Sequence, residues 1–432
     1  MAGQQNSLLQ YANACRYQNP QPSTESEQLG MTSFAVIGAG IIGASVAREL
    51  TQRFPDSEVT VFDKADHVAA HQTGHNSGVV HAGLYYKPGS LKARLCRRGV
   101  DMLRQFALER DVPYEECGKI VVALKEEEEG RLRAIHEKAV ANGVPGVELI
   151  GPERIREIEP NAVGRMALHS PHTAIIDYAA VTRALIDEVT AAGGSVRLGA
   201  EVTNIINDSR SCTIVTEHGA TKHDYLIVCA GLQSDRIARM AGGSPWPKIV
   251  PFFGQYSQLA SEHRTILNGL VYPVPDPAYP FLGVHLTKRV DGEMLVGPNA
   301  FLSFGRENYS GWNINIKDSL GVALDSGFWR FAGQNVRAAV QEFAAVVSRK
   351  KFLAGAAEYV PSLEGAASTP ITRGIRAQAM DQNGNLLDDF VIENRGRATF
   401  LRNAPSPGAT SSLAIAEHIV SEVVSTHHLT TV

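Results

Sequence analysis

The sequence predicts an α/β protein in which a parallel-sheet region is joined to an α+β region with a mixed or antiparallel sheet. Three observations predict it. A strand, a glycine-rich turn, a helix and a second strand follow one another between Ser33 and Asp63. A buried strand of the same kind returns at Asp224–Gly231 and ends in the small residues Cys229, Ala230 and Gly231, which let backbone approach a ligand. From Val250 to Pro298 the texture changes to short alternating strands broken by prolines, the habit of antiparallel sheets.

Phe34 to Ile37 is a short apolar run that reads as a buried parallel strand. Gly38-x-Gly40-x-x-Gly43 turns it into a helix carrying Ile42, Val46 and Leu50 at helical spacing, a Rossmann-like pattern. The first glycine permits a tight turn, the second lets backbone N–H groups approach a pyrophosphate, and the third lets helix and strand pack closely. Ile41 and Ile42 open that helix, where unpaired N–H groups and the helix dipole favour an anion. The next strand, Val59 to Phe62, ends at Asp63, whose carboxylate can accept hydrogen bonds from ribose hydroxyls. An acid there disfavours a 2′-phosphate, so NADP is not expected; FAD and NAD both stay open at this point.

The stretch His71 to Tyr86 is polar and glycine-rich, long for a surface loop and too interrupted for a helix, and such loops usually bind something. Its histidines lack the helical frame of a two-histidine ligand pair, so no metal is expected. Thr73, Asn76 and Ser77 offer donors to a phosphate or a ring, while His81 and Tyr85 bring an acid/base group and a phenol. Leu91–Arg110 has helical periodicity, Gly118–Leu124 reads as a strand, and Glu126–Glu129 open a further helix at its positive end. Met166–Ile176 reads as substrate-side strands. Tyr178–Ala192 is a helix, and Ser195–Leu198 with Glu201–Ile205 reads as a return to the parallel sheet. Residues 312–356, with Trp312, Phe328, Trp329, Phe331, Phe343 and Arg349-Lys350-Lys351, read as a core-packing helix pair, a membrane-surface contact being the sharper alternative. The strand Thr399–Arg402, the loop Asn403–Thr410 and a helix from about Ser411 close the chain. That helix start is a second place where negative charge is stabilised.

With 432 residues the chain has room for two or more domains, and no stretch has the length and apolar continuity of a transmembrane helix. A formal net charge of -4 without a long basic run argues against nucleic acid as a partner. Cys15, Cys96, Cys117, Cys212 and Cys229 have no paired or metal-ligand spacing, which suggests reduced thiols and a cytoplasmic setting. Residues 1–30, polar and rich in Gln, Asn and Ser, are expected to be a disordered N-terminal extension or an upstream start before Met31.

The glycine unit taken with His71–Gly78, Val271-Tyr272-Pro273-Val274-Pro275-Asp276-Pro277, Phe281-Leu282-Gly283-Val284-His285, Gly297-Pro298-Asn299-Ala300, Arg376-Ala377-Gln378 and Arg402-Asn403-Ala404-Pro405-Ser406-Pro407 resembles the L-2-hydroxyglutarate dehydrogenase/oxidase family. That family lies within the FAD-dependent D-amino-acid oxidase and glycine oxidase superfamily. The likeness covers residues 33 to 425, and Asp63 stands where many superfamily members have Glu, a shorter reach to the ribose.

The resemblance implies FAD rather than NAD. It implies a discontinuous FAD-binding domain of residues 31–115, 172–248 and 366–432, with 116–171 and 249–365 as the substrate-binding domain. Gly38, Gly40, Ile41, Ile42 and Gly43 then serve the pyrophosphate, Asp63 and Lys64 the adenosine ribose, and Val202 the adenine through its backbone. Thr73, Asn76, Ser77, Ala230 and Gly231 join the C-terminal loop Pro407, Gly408, Ala409 and Thr410 around the cofactor. The implied reaction is oxidation of L-2-hydroxyglutarate, a 2-hydroxy diacid, to 2-oxoglutarate, with electrons passing to quinone or oxygen. A quinone acceptor implies peripheral contact at the inner face of the cell membrane. Such chemistry needs a base, which leaves His81 and His285, the latter preferred for its place in the expected substrate sheet. Arg376 is the choice for a carboxylate, because a guanidinium fork matches that group bidentately. Tyr85, Tyr256, Tyr272 and Arg402 are further substrate candidates. The rival readings are an amine or amino-acid oxidase of the same superfamily and a flavin-binding protein without turnover.

Overall fold

The computed structural model describes residues 31–276, 283–303, 305–309, 315–316, 318–319, 326–334, 349–371 and 374–431. The extension 1–30, the run Pro277 to Leu282, and Trp312 and Phe343 lie outside the described residues.

The glycine unit sits at the centre of a six-stranded sheet. Its order is Val391–Arg395, Ala398–Asn403, Tyr225–Val228, Ser33–Ile37, Glu58–Phe62, Ser195–Arg197. Every pairing is parallel except that of the edge strand Val391–Arg395. Alternation along Ser33–Ile37 divides the core. Phe34 and Val36 face the helices Ile41–Arg53, Leu91–Glu109, Tyr178–Ala191 and Ser412–His427. Ala35 and Ile37 face the opposite layer with Leu226, Val228 and Phe400. That layer corrects one expectation: Val202–Asn207 does not rejoin the parallel sheet. It forms a three-stranded antiparallel sheet with Cys212–Thr216 and Gly219–His223, and Val202, Ile205 and Ile214 cover the parallel sheet.

The turn after the first strand is held by sterics. Gly38 has φ +111°, and a Cβ there would meet the Cys229 carbonyl oxygen at 2.4 Å. A Cβ on Gly43 would lie 1.8 Å from the Gly38 carbonyl oxygen. Gly43 is therefore a packing residue that lets the helix sit on its own turn. Gly43→Ala is expected to lower stability by about 1–3 kcal/mol through overpacking, with a matching loss of retained flavin, measured by urea unfolding and by absorbance of the purified protein.

The second large sheet has nine strands. Along its path run Ser368–Pro370, Lys248–Leu259, Met294–Leu302, His285–Lys288, Leu270–Pro273, Lys119–Ala123, Met166–Ser170 and Glu148–Ile150, and Gly374–Met380 also pairs with Lys248–Leu259. The sheet is mixed: Leu270–Pro273 runs parallel to Lys119–Ala123 and every other pairing is antiparallel. The twelve-residue Lys248–Leu259 strand is longer than the short strands expected there. Ala174–Ile176 leaves this sheet and pairs instead with Val79–Val80 and Tyr114–Glu115, so the polar loop is anchored in a small sheet of its own. Helices Ser326–Gln334 and Arg349–Ala357 lie within the expected helical stretch; Leu353 packs on the core of the second sheet, whereas Trp329 is exposed. Residues Thr32–Val432 make one compact unit, and no described helix is long and apolar enough to cross a membrane.

Candidate active site

One cavity of about 1170 Å³ runs between the two sheets, larger than the ~300–1,000 Å³ usual for small-molecule sites. Its walls at the parallel sheet include Gly38, Gly40, Ile41, Ile42, Asp63, Lys64, Val202, Ala230 and Gly231. Thr73, Asn76, Ser77, Pro407, Gly408, Ala409 and Thr410 line its middle. His81, Tyr85, Tyr256, Tyr272, His285, Arg376 and Arg402 also reach it. Gly43 alone of the expected site residues stays out of the lining, for the packing reason given above.

At the glycine end, Asp63 accepts from the Ala39 N–H at 2.7 Å through Oδ2 and from the Ala65 N–H at 2.9 Å through Oδ1. It thereby fixes the loop while each oxygen keeps a free lone pair for a hydroxyl. The Thr73 hydroxyl oxygen accepts from the Ile41 N–H at 3.0 Å, which caps the helix from across the cavity and leaves its O–H to donate. Thr410 joins the C-terminal loop to the polar loop: its Oγ1 accepts the His81 N–H at 3.1 Å and lies 2.9 Å from the Tyr178 hydroxyl.

Three expected roles are corrected by the bonds these residues make. Asn76 Nδ2 donates to the Thr73 carbonyl at 2.5 Å and its Oδ1 accepts the Gly78 N–H at 2.8 Å, so the side chain shapes the loop instead of presenting itself to a ligand. Arg402 is buried with Nη1 on Glu393 and Nη2 donating to the Pro247 carbonyl at 2.9 Å. Its two terminal nitrogens are engaged by protein, whereas Nε has no partner among the described residues, so the side chain serves first as a structural ion pair. Lys64 gives its ammonium to Glu307, which also accepts from Gln233 at 2.6 Å. The ammonium is thus engaged by protein at the cavity wall.

The cavity suits an extended, polar, anionic cofactor on its own evidence. The glycine cradle leaves no room for side chains, and the first-turn amides of the Ile41–Arg53 helix have no intrahelical acceptor. Buried polar atoms wait along the walls. Both ring nitrogens of His71, Nδ1 of His75 and the Tyr85 hydroxyl have no hydrogen-bond partner among the described residues. A flavin dinucleotide brings the donors and acceptors that such groups lack.

The other end is cationic and aromatic. His285, buried, stacks on Tyr272 with ring centroids 3.8 Å apart, and its Nδ1 lies 2.8 Å from the Gly283 carbonyl oxygen. A carbonyl only accepts, so Nδ1 carries the proton and Nε2 keeps its lone pair. Burial holds the His285 imidazole well below its ordinary range against the pull of the Gly283 carbonyl, and the positive Lys119, Arg376 and His81 add to the depression. Burial, then Lys119, Arg376 and Lys92, bring His81 down to about 3. Burial pushes the phenols of Tyr85, Tyr256 and Tyr272 upward, so they stay protonated donors. Tyr256 is hydrogen-bonded to Ser77. Arg376 stands on Gly374–Met380 opposite Phe252, and its charge reaches His81, His285, Tyr256 and Tyr272 alike. Burial raises the Cys229 thiol to about 12, which makes it a small apolar wall residue and no nucleophile.

The sequence reading passed over two lysines. Lys92 lies buried on the Leu91–Glu109 helix, lines the cavity and donates to Asp388 at 2.7 Å. Lys119 is buried at the start of the Lys119–Ala123 strand. A lysine leading the otherwise apolar Ile120-Val121-Val122-Ala123 was the available signal.

This arrangement defines an FAD-dependent oxidoreductase, and the family profile described as "FAD dependent oxidoreductase" (DAO) matches residues 33–422. L-2-hydroxyglutarate dehydrogenase of Homo sapiens mitochondria is 40% identical over 428 residues, covering 94% of this chain and 92% of the other. The Escherichia coli L-2-hydroxyglutarate dehydrogenase is 41% identical over 394 residues, covering 91% and 93%. The chain belongs to the L-2-hydroxyglutarate dehydrogenase family of FAD-dependent oxidoreductases. Among solved structures, the dithionite-reduced L-alpha-glycerophosphate oxidase of Mycoplasma pneumoniae with FAD bound shares the fold at TM-score 0.72 and 22% identity, over 91% of this chain and 95% of that one.

Proposed function

We propose that the protein oxidises the 2-hydroxyl of L-2-hydroxyglutarate to the ketone of 2-oxoglutarate. The observation that carries the reading is a single cavity joining a dinucleotide cradle to a cluster with one guanidinium, two neutral imidazoles and three protonated phenols. Family membership names the diacid, and that cluster has the charge to receive it.

Bound FAD supplies the two-electron acceptor for the hydride that leaves C2. The residues of this chain do the rest. The Arg376 guanidinium takes a substrate carboxylate as a bidentate pair. His285 Nε2 accepts the hydroxyl proton as hydride leaves, with its tautomer set by Gly283 and its ring held by Tyr272. Tyr256 and Tyr85 donate hydrogen bonds to substrate oxygens. His81, tied through its backbone to Thr410, has only a 3.5 Å approach from Ser406 at Nε2 and is the second base candidate.

The electrons then pass to a quinone or to oxygen. A membrane quinone would bring the chain to a bilayer surface, with the Arg349-Lys350-Lys351 run as the proposed contact. Steady-state assays test both parts. Formation of 2-oxoglutarate from L-2-hydroxyglutarate is expected, with either oxygen uptake or reduction of a soluble quinone matching it mole for mole. Turnover of glycine or another amino acid without turnover of the hydroxy acid would move the protein to the amine oxidases.

A further inference from the structure

Lys119 is 3% exposed, yet among the described residues no carboxylate pairs with its ammonium. Its surroundings are aromatic. Nζ lies 3.5 Å from the Tyr272 ring centroid and 5.0 Å from that of Tyr85, within cation–π range. His285 stacks on the same Tyr272 ring at 3.8 Å with 19° between planes. Two groups so close to one centroid cannot share a face of the ring. Tyr272 therefore stands between ammonium and imidazole, and the pair is separated by the thickness of a stacked phenol. A buried cation without a counter-charge is costly to keep, and the fold keeps this one behind the imidazole that faces the cavity.

We propose that Lys119 is a positioning residue for proton abstraction: its charge, set behind Tyr272, holds His285 in its proton-accepting form and its contacts hold the Tyr272 ring against that imidazole. This rests on the reading of His285 as the base. Arg376, from Gly374–Met380, and His81, from the polar loop, also face His285. Lys119 is faced by Tyr272 from Leu270–Pro273, by His81, Tyr85 and Tyr86 from the polar loop, and by Thr173. Burial brings the Lys119 ammonium down to about 7, so its hold weakens as pH rises through neutrality and is full at acid pH, where a base most needs protection from protonation. Across a separation on the order of 7 Å at a protein-like dielectric, the coupling amounts to roughly 1.5–2 pH units.

The test compares Lys119→Met, which keeps length and removes charge, with Lys119→Arg in the FAD-loaded protein. Two readouts are followed: the acid limb of kcat/KM and the NMR titration of the His285 imidazole, assigned with His285→Asn. Both are expected to move up by roughly 1.5–2 pH units in Lys119→Met and to stay in place in Lys119→Arg. An unmoved imidazole titration in Lys119→Met, or equal shifts in both variants, would overturn the proposal. Lys119→Gln supplies the neutral variant if Lys119→Met does not fold. Failure of the base assignment is read separately, as full turnover by His285→Asn, and leaves the imidazole titration able to report on Lys119.

Discussion

His285→Asn is expected to lower kcat by roughly 10²–10⁴-fold, the usual weight of a positioned general base, while the purified protein stays yellow. The asparagine amide can keep the 2.8 Å hydrogen bond to the Gly283 carbonyl, so the strand His285–Lys288 and its pairing with Met294–Leu302 are retained. What disappears is the lone pair at Nε2. The phenols at that end are held protonated by burial, and His81, the second base candidate, is tied through its backbone to Thr410. The pH dependence follows from the same burial. A base whose affinity for protons is pushed below the ordinary 6.5 stays deprotonated as pH falls through that value, so kcat/KM should hold on the acid side where an exposed histidine would already have failed. Activity that falls with a midpoint near 6.5 in the parent, or full turnover in His285→Asn, would assign the base elsewhere.

Arg376→Lys is expected to raise KM for the diacid about tenfold or more, since a charge-assisted bond to a carboxylate is worth about 1.5–3 kcal/mol and the lysine has no fork. FAD retention should not change, because Arg376 lies on Gly374–Met380 of the mixed sheet, away from the glycine cradle. Arg402 lines the cavity too, with its terminal nitrogens bonded to Glu393 and to the Pro247 carbonyl. Loss of Arg402 would act first on the half-buried Glu393, which would lose its guanidinium partner and keep the Ser244 N–H at 2.7 Å. An unchanged KM for Arg376→Lys would remove the residue from substrate binding.

The cofactor half of the cavity was legible in the sequence because its requirements are local. Gly38, Gly40 and Gly43 are read from spacing, and Asp63 from its place at the end of the next strand. The packing role of Gly43 was part of that reading, and a Cβ clash at 1.8 Å gives it a physical measure. Side chains whose partners lie elsewhere in the chain were not legible. Asn76 looked like a donor until its own loop consumed it, and Arg402 looked available until Pro247, 155 residues away, supplied an acceptor. The antiparallel sheet around Cys212–Thr216 and Gly219–His223 escaped notice for another reason. The second of these strands is mostly exposed and polar, so neither apolar alternation nor an apolar run marks it. Lys119 was passed over because sequence shows the charge but not its burial, and its place beside Tyr85 and behind the Tyr272–His285 stack gives it meaning.

The most direct test of the account is anaerobic mixing of the FAD-loaded protein with each enantiomer of 2-hydroxyglutarate, followed by flavin absorbance. Rapid bleaching by the L enantiomer, with one 2-oxoglutarate formed per flavin and no bleaching by the D enantiomer or by amino acids, is the predicted result. Bleaching by glycine or another amino acid with none by L-2-hydroxyglutarate would contradict it.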